Sequence, residues 1–143
     1  MTYYADLTPY EYFPDLAPDD AEILNVGWLE AGHDFPTLDG DPDPEFLQNL
    51  ITLVADHFTN ATRGIHGCDL PHPDGDEGSE SYGGRDLFLG HAEIHVVTSD
   101  GRRLAAPTLV VHYVRDHHYR PPEEFIEAVK AMRVAPVLPD RYQ

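Results

Sequence analysis

Leu87-Phe88-Leu89-Gly90-His91-Ala92-Glu93-Ile94-His95-Val96-Val97, then Thr98-Ser99-Asp100-Gly101-Arg102, then Arg103-Leu104-Ala105-Ala106, reads as two strand-like segments joined by a tight turn. Asp-Gly supplies the backbone conformations that a β-hairpin connection needs, and the flanking runs suit a pleated surface. Alternation turns Ala92, Ile94 and Val96 towards a core. His91, Glu93 and His95 then share the opposite side, a two-histidine, one-carboxylate set of a kind that binds metal. Residues two apart on a straight strand are about 6.6 Å apart, so only neighbours can share an ion. The simpler reading is a solvated polar face.

On either side of this unit the pattern changes to helix. Pro107 is expected to start a helix that carries Leu109, Val110, Val111, Tyr113 and Val114 and runs to about His117. Pro121-Pro122-Glu123-Glu124 opens another, with Phe125, Ala128, Val129 and Met132 inward. Upstream, Asp43-Pro44-Glu45 supplies an N-cap, a proline at the first helical position and an acid in the first turn. Phe46, Leu50, Val54 and Phe58 then recur on one face, predicting a helix over about residues 44–59.

Before that helix, Ile23 to Leu29 alternates Leu24, Val26 and Trp28 with more variable positions and reads as a strand buried mainly on one face. Residues 1–21, with Tyr3, Tyr4, Tyr10, Tyr12 and Phe13, read as an arm packed by its rings over the core. Residues 73–86 offer almost nothing to bury and are expected to be a mobile loop. Strands and helices in this order, without an internal repeat, predict an α+β fold. The expectation is one domain over residues 1–143, a small antiparallel sheet with a hairpin packed against about three helices.

Charge narrows the classes of partner. Asp and Glu number 26 against nine Lys and Arg, a net −17, and the first basic residue is Arg63. Residues 1–62 therefore carry 13 acids and no Lys or Arg. Such a surface repels nucleic-acid phosphates and anionic membranes and attracts a basic protein, although acidity also serves solubility alone. No apolar run approaches the roughly 20 residues that a spanning helix needs. One cysteine and no charged-then-apolar leader lead to the expectation of a cytoplasmic protein.

That cysteine lies in Arg63-Gly64-Ile65-His66-Gly67-Cys68-Asp69-Leu70-Pro71-His72. A thiolate with imidazoles suits zinc. In an extended segment His66 and Cys68 point to the same side, and His72 is a third candidate. Cys68 activated by His66 or His72, with Asp69 orienting the base, is the alternative of a nucleophilic thiol, but no established cysteine-hydrolase signature surrounds it. No phosphate-binding loop is present, because Gly83-Gly84 lacks the Lys and Ser/Thr that such a loop uses.

A second group, His112-Tyr113-Val114-Arg115-Asp116-His117-His118, follows. On a helix of about 100° per residue His117 falls on the Val110 and Val114 face and His112 roughly opposite, beside Arg115 and Asp116. Either His117 is a core histidine satisfied by a carbonyl, or the helix ends near it and its ring turns towards Cys68. His112 is open to a ligand or to solvent, and His118 reads as surface.

Several segments together resemble a known family: Tyr3-Tyr4-Ala5-Asp6-Leu7-Thr8-Pro9-Tyr10, Leu24-Asn25-Val26-Gly27-Trp28-Leu29, Thr62-Arg63-Gly64-Ile65-His66-Gly67-Cys68 and Ala106-Pro107-Thr108-Leu109-Val110-Val111-His112-Tyr113-Val114. The chain is similar to an uncharacterised domain-of-unknown-function family of small, largely actinobacterial proteins. The resemblance brings no activity. It does imply a zinc site, because the family pattern reads Arg-Gly-aromatic-His-x-Cys-x-x-Cys with a later His-Tyr-x-x-x-His. Here the second cysteine position is Pro71, which cannot bind metal, so His72 substitutes or a ligand is lost.

The expected metal ligands are thus His66, Cys68, His72, His112 and His117, and the expected cofactor is zinc. The leading functional reading is a zinc-binding protein of structural or protein-interaction role. The alternatives are a metal-dependent hydrolase with His33, Asp34 or Glu93 as base, and an acidic immunity or inhibitor protein that covers a basic partner.

Overall fold

The computed structural model describes residues 3–9, 23–59, 80–82, 85–87, 89–90 and 92–135, with only the backbone of 80–82 and 85–87. Among them are β1 (Ile23–Asn25), α1 (Pro44–Asp56), β2 (Glu80–Tyr82), β3 (Arg85–Leu87), β4 (Glu93–Val97), β5 (Arg103–Pro107), α2 (Val110–His117) and α3 (Glu123–Lys130). β4 and β5 run antiparallel, with Glu93 opposite Pro107 and Val97 opposite Arg103. Between them Thr98 N–H donates to the Arg102 carbonyl at 2.8 Å and Gly101 N–H to the Thr98 carbonyl at 3.0 Å. β1 lies on the other side of β5, giving the order β1-β5-β4.

One feature of the expected sheet is corrected. β1 pairs with β5 in parallel, Ile23 opposite Arg103 and Asn25 opposite Ala105, so the sheet is mixed rather than antiparallel. The long stretch of chain between β1 and β5 lets β1 enter in the same direction. Inside the stretch expected as a loop, β2 and β3 form a two-stranded antiparallel ladder with Tyr82 opposite Arg85. Residues 73–79 lie outside the described residues, as do Tyr10, Tyr12 and Phe13 of the arm.

Both edges of the main sheet are occupied. Along β1, Leu7 N–H donates to the Asn25 carbonyl at 2.7 Å and Asn25 N–H to the Thr8 carbonyl at 2.8 Å. Along β4, Thr59 and Glu93 exchange backbone bonds at 2.8 and 2.9 Å, and Ala135 N–H donates to the His95 carbonyl at 2.9 Å. Covered edges leave few unpaired backbone groups to recruit another strand.

α1 begins as its sequence requires, with the Asp43 carboxylate accepting from Glu45 N–H at 3.0 Å. It ends at Asp56, three residues before the expected end at 59. The edge of β4 takes Thr59, which draws the chain out of the helix and leaves Phe58 46% exposed instead of inward. Pro107 closes β5 instead of starting a helix, and α2 starts at Val110. Proline has no N–H for a ladder, but as the last residue of a strand it gives up little. α3 begins at Glu123 with Pro122 as its N-cap residue, and Phe125, Ala128 and Val129 are buried.

α1 packs against α2 and α3, with Phe46 edge-on to Phe125 at 6.3 Å between ring centres. Ile94, Val96, Leu104 and Ala106 belong to the same core as Leu50, Val110, Val111, Tyr113 and Phe125. By strand alternation Glu93, His95 and Arg103 are turned to the other face of the sheet.

Candidate functional site

Two groups of side chains bear on function. The first is on α2. Residues 110–114 are all buried, so the helix has no solvated side along its first turn and a half. His112, expected on a polar side, is 2% exposed, whereas His117 is half-buried. His112 is therefore buried where a polar side was expected, because the covered first part of the helix gives hydropathy nothing to sort.

His112 Nδ1 lies 2.9 Å from Asp116 Oδ2, one turn along the helix. A carboxylate only accepts, so Nδ1 carries a proton. Arg115 binds the same carboxylate through Nε at 3.0 Å and Nη2 at 2.8 Å. Burial pushes the Asp116 pKa up, but Arg115 and then His112 outweigh it, so the carboxyl sits below its ordinary value. Asp116 thus stays ionised and fixes the His112 ring.

α2 stops at His117, and His118 turns the chain with a left-handed φ of 54°. The ring of His117 stands 5.0 Å from that of His112, at 77° to it. Of the two alternatives open for His117, the helix does end there. His118 is exposed, as read, with Nδ1 at 3.1 Å from the Gly40 carbonyl. His66, Cys68 and His72 lie outside the described residues. Among the described residues no group of three or more His, Cys, Asp or Glu side chains is arranged to hold a metal ion.

The second group is on the far face of the sheet. The polar face expected to be solvated is buried: Glu93 is 3% and His95 4% exposed. His95 Nε2 is 2.8 Å from Glu93 Oε1, and Arg103 Nε donates to His95 Nδ1 at 2.9 Å. Arginine only donates, so the His95 proton is on Nε2 and points at Glu93. The chain Arg103–His95–Glu93 runs from cation to carboxylate through a neutral imidazole. His91 lies outside the described residues. The remaining candidate bases are elsewhere: His33 is exposed and stacked on Tyr3 at 4.0 Å between ring centres, and Asp34 is exposed.

Sequence reasoning missed Asp116 as the partner of His112 and Arg103 as the partner of His95. Both had a signal. Asp116 is four residues after His112, the spacing at which helical side chains meet. Arg103 stands opposite Val97 and so diagonal to His95, within reach for a long side chain.

A mixed three-stranded sheet with its helices in one core, and with titratable side chains on α2 and on the opposite sheet face, defines a small α+β domain. The chain belongs to the family described as Domain of unknown function (DUF7919), whose model matches residues 2–130. No curated protein and no solved structure matches it. No helix among the described residues is long and apolar enough to cross a membrane.

Proposed function

We propose that this protein binds zinc at a four-ligand site drawn from His112 and His117 of α2 together with His66, Cys68 and His72, and that the ion serves a structural or protein-interaction role. The observation that carries the reading is the α2 pair. Two imidazoles holding one tetrahedral ion through bonds of about 2.0–2.1 Å bring their ring centres to roughly 5 Å. His112 and His117 stand at 5.0 Å. The Asp116 carboxylate on His112 Nδ1 is the kind of orienting partner that metal-bound histidines usually have.

Zinc supplies order: it ties a polar segment that cannot bury apolar area to a helix of the core. A hydrolytic role is less well supported. Glu93 is engaged with His95 on the sheet face turned away from the core that α2 joins, and His33 is stacked on Tyr3. For the interaction role, a groove of about 460 Å³ is lined by Asp100, Glu123, Glu124 and Glu127 with Arg102, and a basic protein segment is the partner it suits. The test is zinc content of the purified chain and of its Cys68→Ser variant. If Cys68→Ser leaves both metal content and thermal stability unchanged, the reading fails.

A further inference from the structure

We propose that residues 3–9 form a strap that opens and closes over the edge of β1 as one unit, with the Asp6 side chain as its latch. None of the proposed zinc ligands belongs to it, so the two readings stand or fall separately.

The strap lies on a core that is finished without it. None of residues 3–9 is buried, whereas Leu24, Asn25, Val26, Trp28 and Tyr119 beneath them are 5% exposed or less. β1 is held from its other side as well: Ile23–Asn25 pair with Arg103–Ala105, and Val26 N–H and Trp28 Nε1 both donate to the Ala105 carbonyl, at 3.0 and 3.1 Å. A segment that buries little apolar area, on a scaffold already paired elsewhere, opens locally ahead of global unfolding.

The attachment is polar and irregular at its centre. Tyr4 N–H donates to the Trp28 carbonyl at 3.1 Å, Leu7 N–H to the Asn25 carbonyl at 2.7 Å, and Asn25 N–H to the Thr8 carbonyl at 2.8 Å. Asn25 Nδ2 adds a bond to the Pro9 carbonyl at 2.9 Å. Between these points the strap leaves the ladder. Thr8 N–H turns back to the Ala5 carbonyl at 3.3 Å, and Leu7 takes a left-handed φ of 64°, which is strained for a residue with a side chain. Here Gly27 N–H meets the Asp6 carboxylate at 3.0 Å, and the same carboxylate takes the Tyr119 hydroxyl.

A side chain thus stands in for the backbone at the middle of the strap, and unlike a carbonyl it ionises. Burial raises the Asp6 pKa, so closure favours the neutral acid and weakens as pH rises through the folded value. Among the described residues the other titratable groups around the strap are Tyr3 and Tyr4 on the strap itself, Glu30 and His33 after β1, and Tyr119 after α2. Glu30 accepts from Tyr3 N–H at 3.0 Å and His33 stacks on the Tyr3 ring. Opening uncovers the backbone N–H and carbonyl of Asn25 and turns a covered sheet edge into an exposed one.

The test is amide hydrogen exchange followed by NMR on the full chain from acid to neutral pH, with rates corrected for intrinsic exchange. The N–H groups of Tyr4, Leu7, Asn25 and Gly27 are bonded across the strap, and that of Val26 is bonded to β5. The expected result is a common protection for the first four, at least about tenfold below that of Val26, which falls further as pH rises. Asp6→Asn keeps an acceptor but has no proton to lose, so its strap protection should not vary with pH. Should that variant not fold, Tyr119→Phe decides: it should lower the four protections together at neutral pH by at least about fivefold. Protection of the four no lower than that of Val26 overturns the proposal, since the strap then opens only with the core. So do protections that change independently of one another, a pH dependence that persists in Asp6→Asn, or unchanged protection in Tyr119→Phe.

Discussion

The Tyr119 hydroxyl donates to both carboxylate oxygens of Asp6, at 2.8 and 2.7 Å, joining residues 113 positions apart. Asp6 also accepts from Gly27 N–H at 3.0 Å, so one carboxylate ties the arm, the chain just past β1 and the chain just past α2. Burial raises the Asp6 pKa above its ordinary value, against the bonds from Gly27 and Tyr119 that lower it. Burial, then the Asp6 charge, holds Tyr119 well above the ordinary phenol value.

For Asp6 the sign is that of a raised acid. Its contribution to stability is complete below the unfolded carboxylate value of about 3.9 and is lost as pH rises through the higher folded value. Asp6→Asn has no such proton to lose. Urea denaturation between acid and neutral pH should therefore show the Asn variant gaining on the wild type as pH rises, and a constant difference would refute this. Tyr119→Phe leaves a partly buried carboxylate without its hydroxyl donor and should cost about 1–3 kcal/mol at neutral pH.

Gly27 has φ +76°, and a Cβ there would lie 2.9 Å from Val110 Cγ2. Gly32 has φ +94° with nothing within 4 Å of the same atom. Gly32→Ala should carry only the backbone penalty of about 1–2 kcal/mol. Gly27→Ala adds overpacking of about 1–3 kcal/mol to that. Thermal or denaturant unfolding of the two variants should rank them in that order, and equal losses would mean that the close approach of Val110 costs nothing.

Glu93→Ala removes the acceptor of a buried imidazole donor. The expected loss is about 1.5–3 kcal/mol, the range for hydrogen bonds to charged groups. Denaturant unfolding that shows no loss would return Glu93 and His95 to the status of a solvated face.

What the sequence made legible was local chemistry. Asp43-Pro44-Glu45 announces the start of α1 because capping needs only adjacent residues. Its end was not legible, since Thr59 leaves the helix for a strand edge that lies more than thirty positions away. The parallel pairing of Ile23 with Arg103 was hidden for the same reason. At the site, the α2 histidines were legible as candidates, but not their orientation. Alternation and helical periodicity sort residues by polarity, and here His112, Glu93 and His95 are polar and buried together with partners that satisfy them.

In the proposed zinc site Asp116 acts through His112. Asp116→Asn should leave the fold intact, because the side chain is largely at the surface, and should weaken zinc about 10–100-fold by losing the carboxylate that orients the His112 ring. Competition with a chromophoric chelator measures this. Unchanged affinity would mean that Asp116 does no more than pair with Arg115.

The most direct measurement is the zinc content of the untagged chain by elemental mass spectrometry, alongside Cys68→Ser and His112→Ala. About one zinc per chain is expected in the wild type, in line with a single site of four ligands, and its loss in both variants. A wild type that carries no zinc and takes none up, or variants that retain it, would rule out the proposed zinc site.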